Sequence, residues 1–128
     1  MTTWPSQRNV GAILAFLPVF DSPGFKFGET VAPPGQFPYA RMAPEVDGLI
    51  KSLYDNGWVE PFDWSEFQDE AIGYFENPTR LETADLETIR KLLTLHVRKD
   101  RFCDGHFLEI LEAGQIQAIL RRLATLHG

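Results

Sequence analysis

The 128-residue chain has a single cysteine, Cys103, and that scarcity excludes an internal disulfide framework and suits a reducing cytosol. No apolar run approaches the roughly 18 residues that a bilayer span needs. The opening Met1-Thr-Thr-Trp-Pro-Ser-Gln-Arg lacks a basic stretch followed by an apolar one, so a cytoplasmic protein with no membrane partner is expected. Internal repeats, low-complexity segments and a glycine-rich phosphate loop are missing too. Basic residues are scarce over most of the length. Residues 1–89 hold 14 acids against 5 bases and residues 90–128 hold 4 acids against 7 bases, which leaves the whole at −6. Nine of the acids lie between Glu60 and Glu87, against Arg80 alone. Most of such a surface repels nucleic acid, so no nucleic-acid partner is expected and only a local basic face would hold phosphate.

What is present is a globular composition, 44% hydrophobic and 23% charged. A chain of this size buries roughly two thirds of its unfolded surface and needs no staple, so residues 1–128 are expected to form one domain. Val10, Ile13, Leu14 and Leu17 draw a stripe behind an expected cap at Ser6, and Pro18 is expected to end that helix. Pro44 suits the first turn of a second helix with Val46, Leu49, Ile50, Leu53 and Tyr54 on one face, closed by Asn56-Gly57. Asp63-Trp-Ser-Glu66 reads as a capping box for a third helix carrying Trp64, Phe67, Ala71, Tyr74 and Phe75. Thr83 is the expected cap of a fourth, with Leu86, Ile89, Leu92, Leu93, His96 and Val97 inward. A short helix with Phe107, Ile110 and Leu111, and a last one with Ile116, Ile119, Leu120, Leu123 and Leu126, follow on either side of Gly114.

The fold expected is therefore all-α, a compact bundle of five or six helices. Residues 18–44 are expected to form an ordered irregular loop, since Phe20, Phe25, Phe27, Phe37 and Tyr39 would be costly to leave in water. A short extended piece is expected at Phe25–Phe27.

The chemistry concentrates in His96-Val-Arg-Lys-Asp-Arg-Phe-Cys-Asp-Gly-His106, at a corner between two helices. Arg98, Lys99 and Arg101 have the makings of an anion site, because guanidinium groups pair with phosphate or carboxylate while an ammonium adds a point charge. Gly105 would open the next helix and offer free backbone donors to the same anion, beside His106. The competing structural role is a tether between Arg101 and Asp104 or the acidic third helix. Cys103 next to His106 or His96 supplies an enzyme alternative, a small hydrolase or transferase, since a thiolate needs a neighbouring base or cation. His96, Cys103, His106, Asp100 and Asp104 are metal-ligand types without the paired spacings of structural zinc, so no metal is expected. His96 itself reads as a core-facing histidine with one satisfied hydrogen bond. His106–Glu112 and Gln115–Leu126 also outline a helix-turn-helix, but its arginines, Arg121 and Arg122, come late in the second helix, where DNA readers usually come early.

Tyr54-Asp-Asn-Gly57, Phe62-Asp-Trp64, Asp85-Leu-Glu-Thr-Ile-Arg-Lys-Leu-Leu-Thr94, the His96–His106 stretch and Gly114-Gln-Ile-Gln-Ala-Ile-Leu-Arg-Arg122 together resemble a family of small bacterial domains of unknown function. The resemblance covers roughly residues 44–123, with Arg98-Lys-Asp-Arg-Phe-x-x-Gly105 as its specific part. Similar segments accompany macro-type ADP-ribose-processing domains in some bacterial proteins, which implies an accessory role beside nucleotide chemistry. The resulting expectation is a binding or regulatory module without cofactor or catalytic residue. Its site is Arg98, Lys99, Arg101, Gly105 and His106, and its partner is a phosphorylated small molecule or nucleotide, or an acidic protein segment.

Overall fold

The structure is a computed structural model that describes residues 7–127. Among the described residues seven α-helices run in chain order: α1 (Gln7–Leu14), α2 (Leu17–Phe20), α3 (Pro44–Asp55), α4 (Trp64–Glu76), α5 (Leu86–Asp100), α6 (His106–Glu112) and α7 (Gln115–His127). A 3-10 helix, Pro78–Thr83, precedes α5, and two short strands, β1 (Gly28–Val31) and β2 (Tyr39–Met42), lie between α2 and α3. Helix α5 runs through the middle against α4, α6 and α7, and α7 in turn packs on α1, α2 and the 3-10 helix. The expected helical bundle is the fold observed.

Each helix forms where an apolar stripe meets a workable end. Pro44 occupies the first turn of α3, where its missing N–H costs nothing. At the other end Gly57 (φ +77°) closes a Schellman turn: Trp58 N–H bonds to Leu53 O at 2.9 Å and Gly57 N–H to Tyr54 O at 3.3 Å. That turn directs Trp58 into the core, where it is fully buried, as are Leu49, Leu53, Ile89 and Leu92.

Three local expectations are corrected. Pro18 does not end the first helix but sits in the opening turn of α2, after a tight Phe16 N–H to Ile13 O bond of 3.2 Å has closed α1. The Ser6 cap lies outside the described residues. At α4, Asp63 accepts from the Ser65 amide at 3.2 Å and from the Ser65 hydroxyl, so the box with Glu66 does not form. Helix α5 is capped by Asp85, whose Oδ1 accepts the Thr88 N–H at 2.8 Å and whose carboxyl is held below its ordinary range by that bond. Thr83 instead belongs to the 3-10 helix and donates to Arg80 O. Asp85 wins the cap because Pro78 starts a separate helical turn that is used up before residue 84.

The loop after α2 holds an antiparallel hairpin, registered Gly28↔Met42 to Val31↔Tyr39, where only a short extended piece at residues 25–27 was expected. Its pairing is tight at Gly28, where a Cβ would lie 2.5 Å from Arg41 O, so only glycine lets the two backbones approach. Phe20, Phe25 and Phe27 cluster with centroids 5.4–5.9 Å apart, Phe27 edge to face with both others, and pin the base of the hairpin to the bundle. Phe37 and Tyr39 do not join them. Phe37 is 92% exposed at the hairpin end.

Asp85→Ala should lower the unfolding free energy by about 1 kcal/mol, whereas Thr83→Ala should cost less than about 0.5, in urea denaturation at neutral pH. Equal effects of the two would return the cap to Thr83.

Candidate functional site

Residues 92–97 of α5 are all buried, so the polar ones among them must be satisfied inside the protein. Thr94 donates to Trp58 O at 3.0 Å. His96, 3% exposed, faces His106 at the start of α6: Nδ1 of the first lies 3.1 Å from Nε2 of the second, with the rings stacked at 5.3 Å. Burial pushes the His96 imidazole from 6.5 down to about 3, and the nearby charges of His106 and Lys99 push the same way. The half-buried His106 is also lowered, by burial first and then by Lys99, with Asp100 and Glu109 opposing. Both rings are therefore neutral at pH 7, which lets one donate to the other. His96 Nε2 is left buried without a hydrogen-bond partner.

Above this pair α4, α5 and α6 leave a half-open groove of about 250 Å³. Its walls are Ala71, Ile72 and Phe75 of α4, Leu95 of α5 and Ile110 of α6; its polar groups are Gln68, His96, Lys99, His106 and Glu109. Ile72 and Phe75 are 46% and 39% exposed, so the groove presents apolar surface to water. Among the described residues the Lys99 ammonium has no ion-pair partner, although Lys26 and Lys51 each pair with a neighbouring carboxylate.

Of the five residues expected at an anion site, Lys99 and His106 meet in this groove. The others do not converge on it. Arg101 is exposed with its guanidinium 5.9 Å from the centre of the Tyr54 ring, and it pairs with neither Asp104 nor a residue of α4. The reason is geometric: positions 99 and 101 are about 200° apart around a helix axis. Arg98, half-buried on the last turn of α5, lines neither of the grooves holding Lys99 and Gly105. Gly105 (φ +86°) lines a second, acidic groove with Thr30, Tyr39, Asp104 and Glu112. The free backbone donors expected there are taken, because His106 N–H bonds to Cys103 O at 3.0 Å and Phe107 N–H to Asp100 Oδ1 at 2.9 Å. Carboxylates thus do the tethering expected of Arg101: Asp100 caps α6, and Asp104 Oδ2 takes the Ala40 N–H at 2.9 Å, tying the corner to β2.

Cys103 is exposed and its thiol engages neither imidazole, since the two imidazoles engage each other. No group of three or more potential metal ligands occurs among the described residues. The helix-turn-helix outline is filled with structural contacts: Gln115, Ile116 and Gln117 at the start of α7 are buried, Gln117 donating to Leu111 O. Its arginines are also engaged, Arg121 with Asp21 at 2.9 Å and Arg122 with Ala84 O at 2.9 Å. Sequence reasoning missed Gln68, Ile72, Phe75 and Glu109. A signal was there in Ile72 and Phe75, apolar residues three apart on the rim of a stripe that Phe67, Ala71 and Tyr74 already complete.

These features define a mainly α-helical bundle with a polar pair beneath an apolar groove. The chain belongs to a family of unknown function, DUF6508, whose model matches residues 5–128. That match takes in the hairpin and the first helices as well as the segment 44–123 quoted above. No curated protein and no solved structure matches the chain.

Because the folded-state value of His96 lies below its unfolded value of 6.5, its contribution to stability is complete above pH 6.5 and is lost as pH falls toward 3. His106 shifts in the same direction. Between pH 7 and pH 5 wild type should lose up to about 2 kcal/mol more than His96→Leu in urea titrations. Parallel losses would show that His96 is not held neutral.

Proposed function

We propose that this chain is a non-enzymatic binding module whose ligand site is the groove between α4, α5 and α6, with Lys99 and His106 holding an anionic group of a small molecule. The observation that carries the reading is the unpaired Lys99 ammonium beside the half-buried His106 ring at an otherwise apolar groove. Lys99 is half-buried beside apolar walls, where an anion is screened by less water than at a fully exposed lysine. The groove falls just under the roughly 300–1,000 Å³ of typical small-molecule sites, which suits a compact ligand or one phosphorylated end of a larger one. The binding reading is preferred to a thiol enzyme because Cys103 has no imidazole to activate it. A cytoplasmic location is part of the proposal, supported by the exposed free thiol, which persists best in a reducing compartment.

A second face supports the alternative partner, an acidic protein segment. Arg101 stands free over Tyr54, and the adjacent Phe102 is 74% exposed with its ring 5.9 Å from Trp64. Aromatic rings beside an unpaired arginine are the usual composition of binding hot spots.

The two sites separate in titrations of the full chain with inorganic phosphate, acetate and ADP-ribose, read by imidazole and amide resonances. At least one probe should shift His96 and His106, with Lys99→Met weakening it by about fivefold or more and Arg101→Ala leaving it unchanged. A response confined to Arg101 and Phe102, or none at all, defeats the groove.

A further inference from the structure

The groove also indicates what kind of anion it takes, an inference that rests on reading it as a ligand site. Its polar end is set by the histidine pair. In a pair of neutral rings one nitrogen donates and the other accepts, so His96 Nε2 carries either a lone pair or a proton with nowhere to go. Orphaned buried N–H groups are rarer than under-satisfied acceptors, which favours His96 Nδ1–H donating to His106 Nε2. His106 then keeps its own proton on Nδ1, which has no partner in the protein among the described residues. The lining of the groove thus includes His106, with a neutral N–H donor to give, and one ammonium, Lys99.

The charge available is small. Arg98 and Arg101 lie outside this groove, and Glu109 lines it. A phosphate monoester carries about −1.5 to −2 at neutral pH and is best met by forked arginines, whereas a carboxylate carries −1 and matches one ammonium plus one N–H. The rest of the lining is apolar apart from Gln68, with Ala71, Leu95 and Ile110 joined by Ile72 and Phe75, which are partly open to water. The volume of about 250 Å³ holds a short body and no dinucleotide.

We propose that the groove binds a small amphipathic monocarboxylate, its carboxylate on Lys99 and His106 and its aliphatic or aromatic body on Ile72, Phe75 and Ile110.

The test uses three probes of similar bulk with the full chain: 4-phenylbutyrate, its neutral amide 4-phenylbutyramide, and 2-phenylethyl phosphate. Binding is read by the methyl resonances of Ile72 and Ile110 and by the imidazole resonances. The carboxylate should bind at least about tenfold more tightly than either other probe, the amount expected for one charge-assisted contact. Lys99→Met should remove the preference over the amide while leaving the melting temperature unchanged. Ile72→Asp, at a partly exposed position that tolerates the change, should abolish binding of all three. If the phosphate or the amide binds as well as the carboxylate, the monocarboxylate assignment is overturned while the groove remains a ligand site. If none of the three moves these resonances, the groove reading falls with it.

Discussion

The constraint on which the rest of this structure depends is that α5 is buried on nearly every side, from Ile89 to Val97, while carrying an arginine, a threonine and a histidine in that stretch. A helix in this position cannot turn its polar groups to water, so each depends on a partner inside the protein. Arg90 is held by Glu87 at 2.6 Å and Glu60 at 3.3 Å, which fixes the segment before α4. Thr94 reaches Trp58 O and fixes the same segment from the inside. His96 reaches across to α6. The positions of the neighbours follow as much from these demands as from the leucines and isoleucines between them.

The answer to Arg90 is not symmetrical. Its side chain is 9% exposed while Glu60 and Glu87 are 46% and 39% exposed, so the carboxylates keep part of their hydration and the guanidinium carries most of the desolvation cost. The histidine pair faces the opposite problem. Burial pushes both imidazoles toward the neutral form, helped at His96 by His106 and Lys99 and at His106 by Lys99. The site therefore combines a neutral hydrogen-bonding floor with a single cation, Lys99. That combination comes from packing α6 against α5 at one particular turn.

That turn depends on carboxylates. Asp100 at the end of α5 takes the Phe107 amide of α6, and Asp104 reaches β2, so the corner is stitched on both sides by side chain to backbone bonds. Gly105 supplies the left-handed residue that the reversal requires. Two of the corner's cations are left on different faces, Lys99 in the groove and Arg101 over Tyr54.

Much of the bundle was legible in the residues. The stripes of α3, α5, α6 and α7, Pro44 at a helix start and Asn56-Gly57 at a helix end are local patterns whose physics acts within a few residues, so they survive in any tertiary setting. The hairpin was hidden because its strands are only four residues long, β1 shows no alternation of burial, and the pair is held by backbone pairing and by Asp104, 64 positions away from Ala40. The cluster of charge and imidazole around residue 100 marked the right region. Which of its members face one another was not a property of their spacing. Lys99 and Arg101 are neighbours in the chain and strangers in space, because a helix turns them to opposite sides; His96 and His106, ten apart, touch because the corner folds one helix back on the other. Sequence alone determined the helices and the place where chemistry gathers, and only the packing of α4, α5 and α6 decided which side chains share a groove, since that depends on contacts between segments that no local pattern encodes.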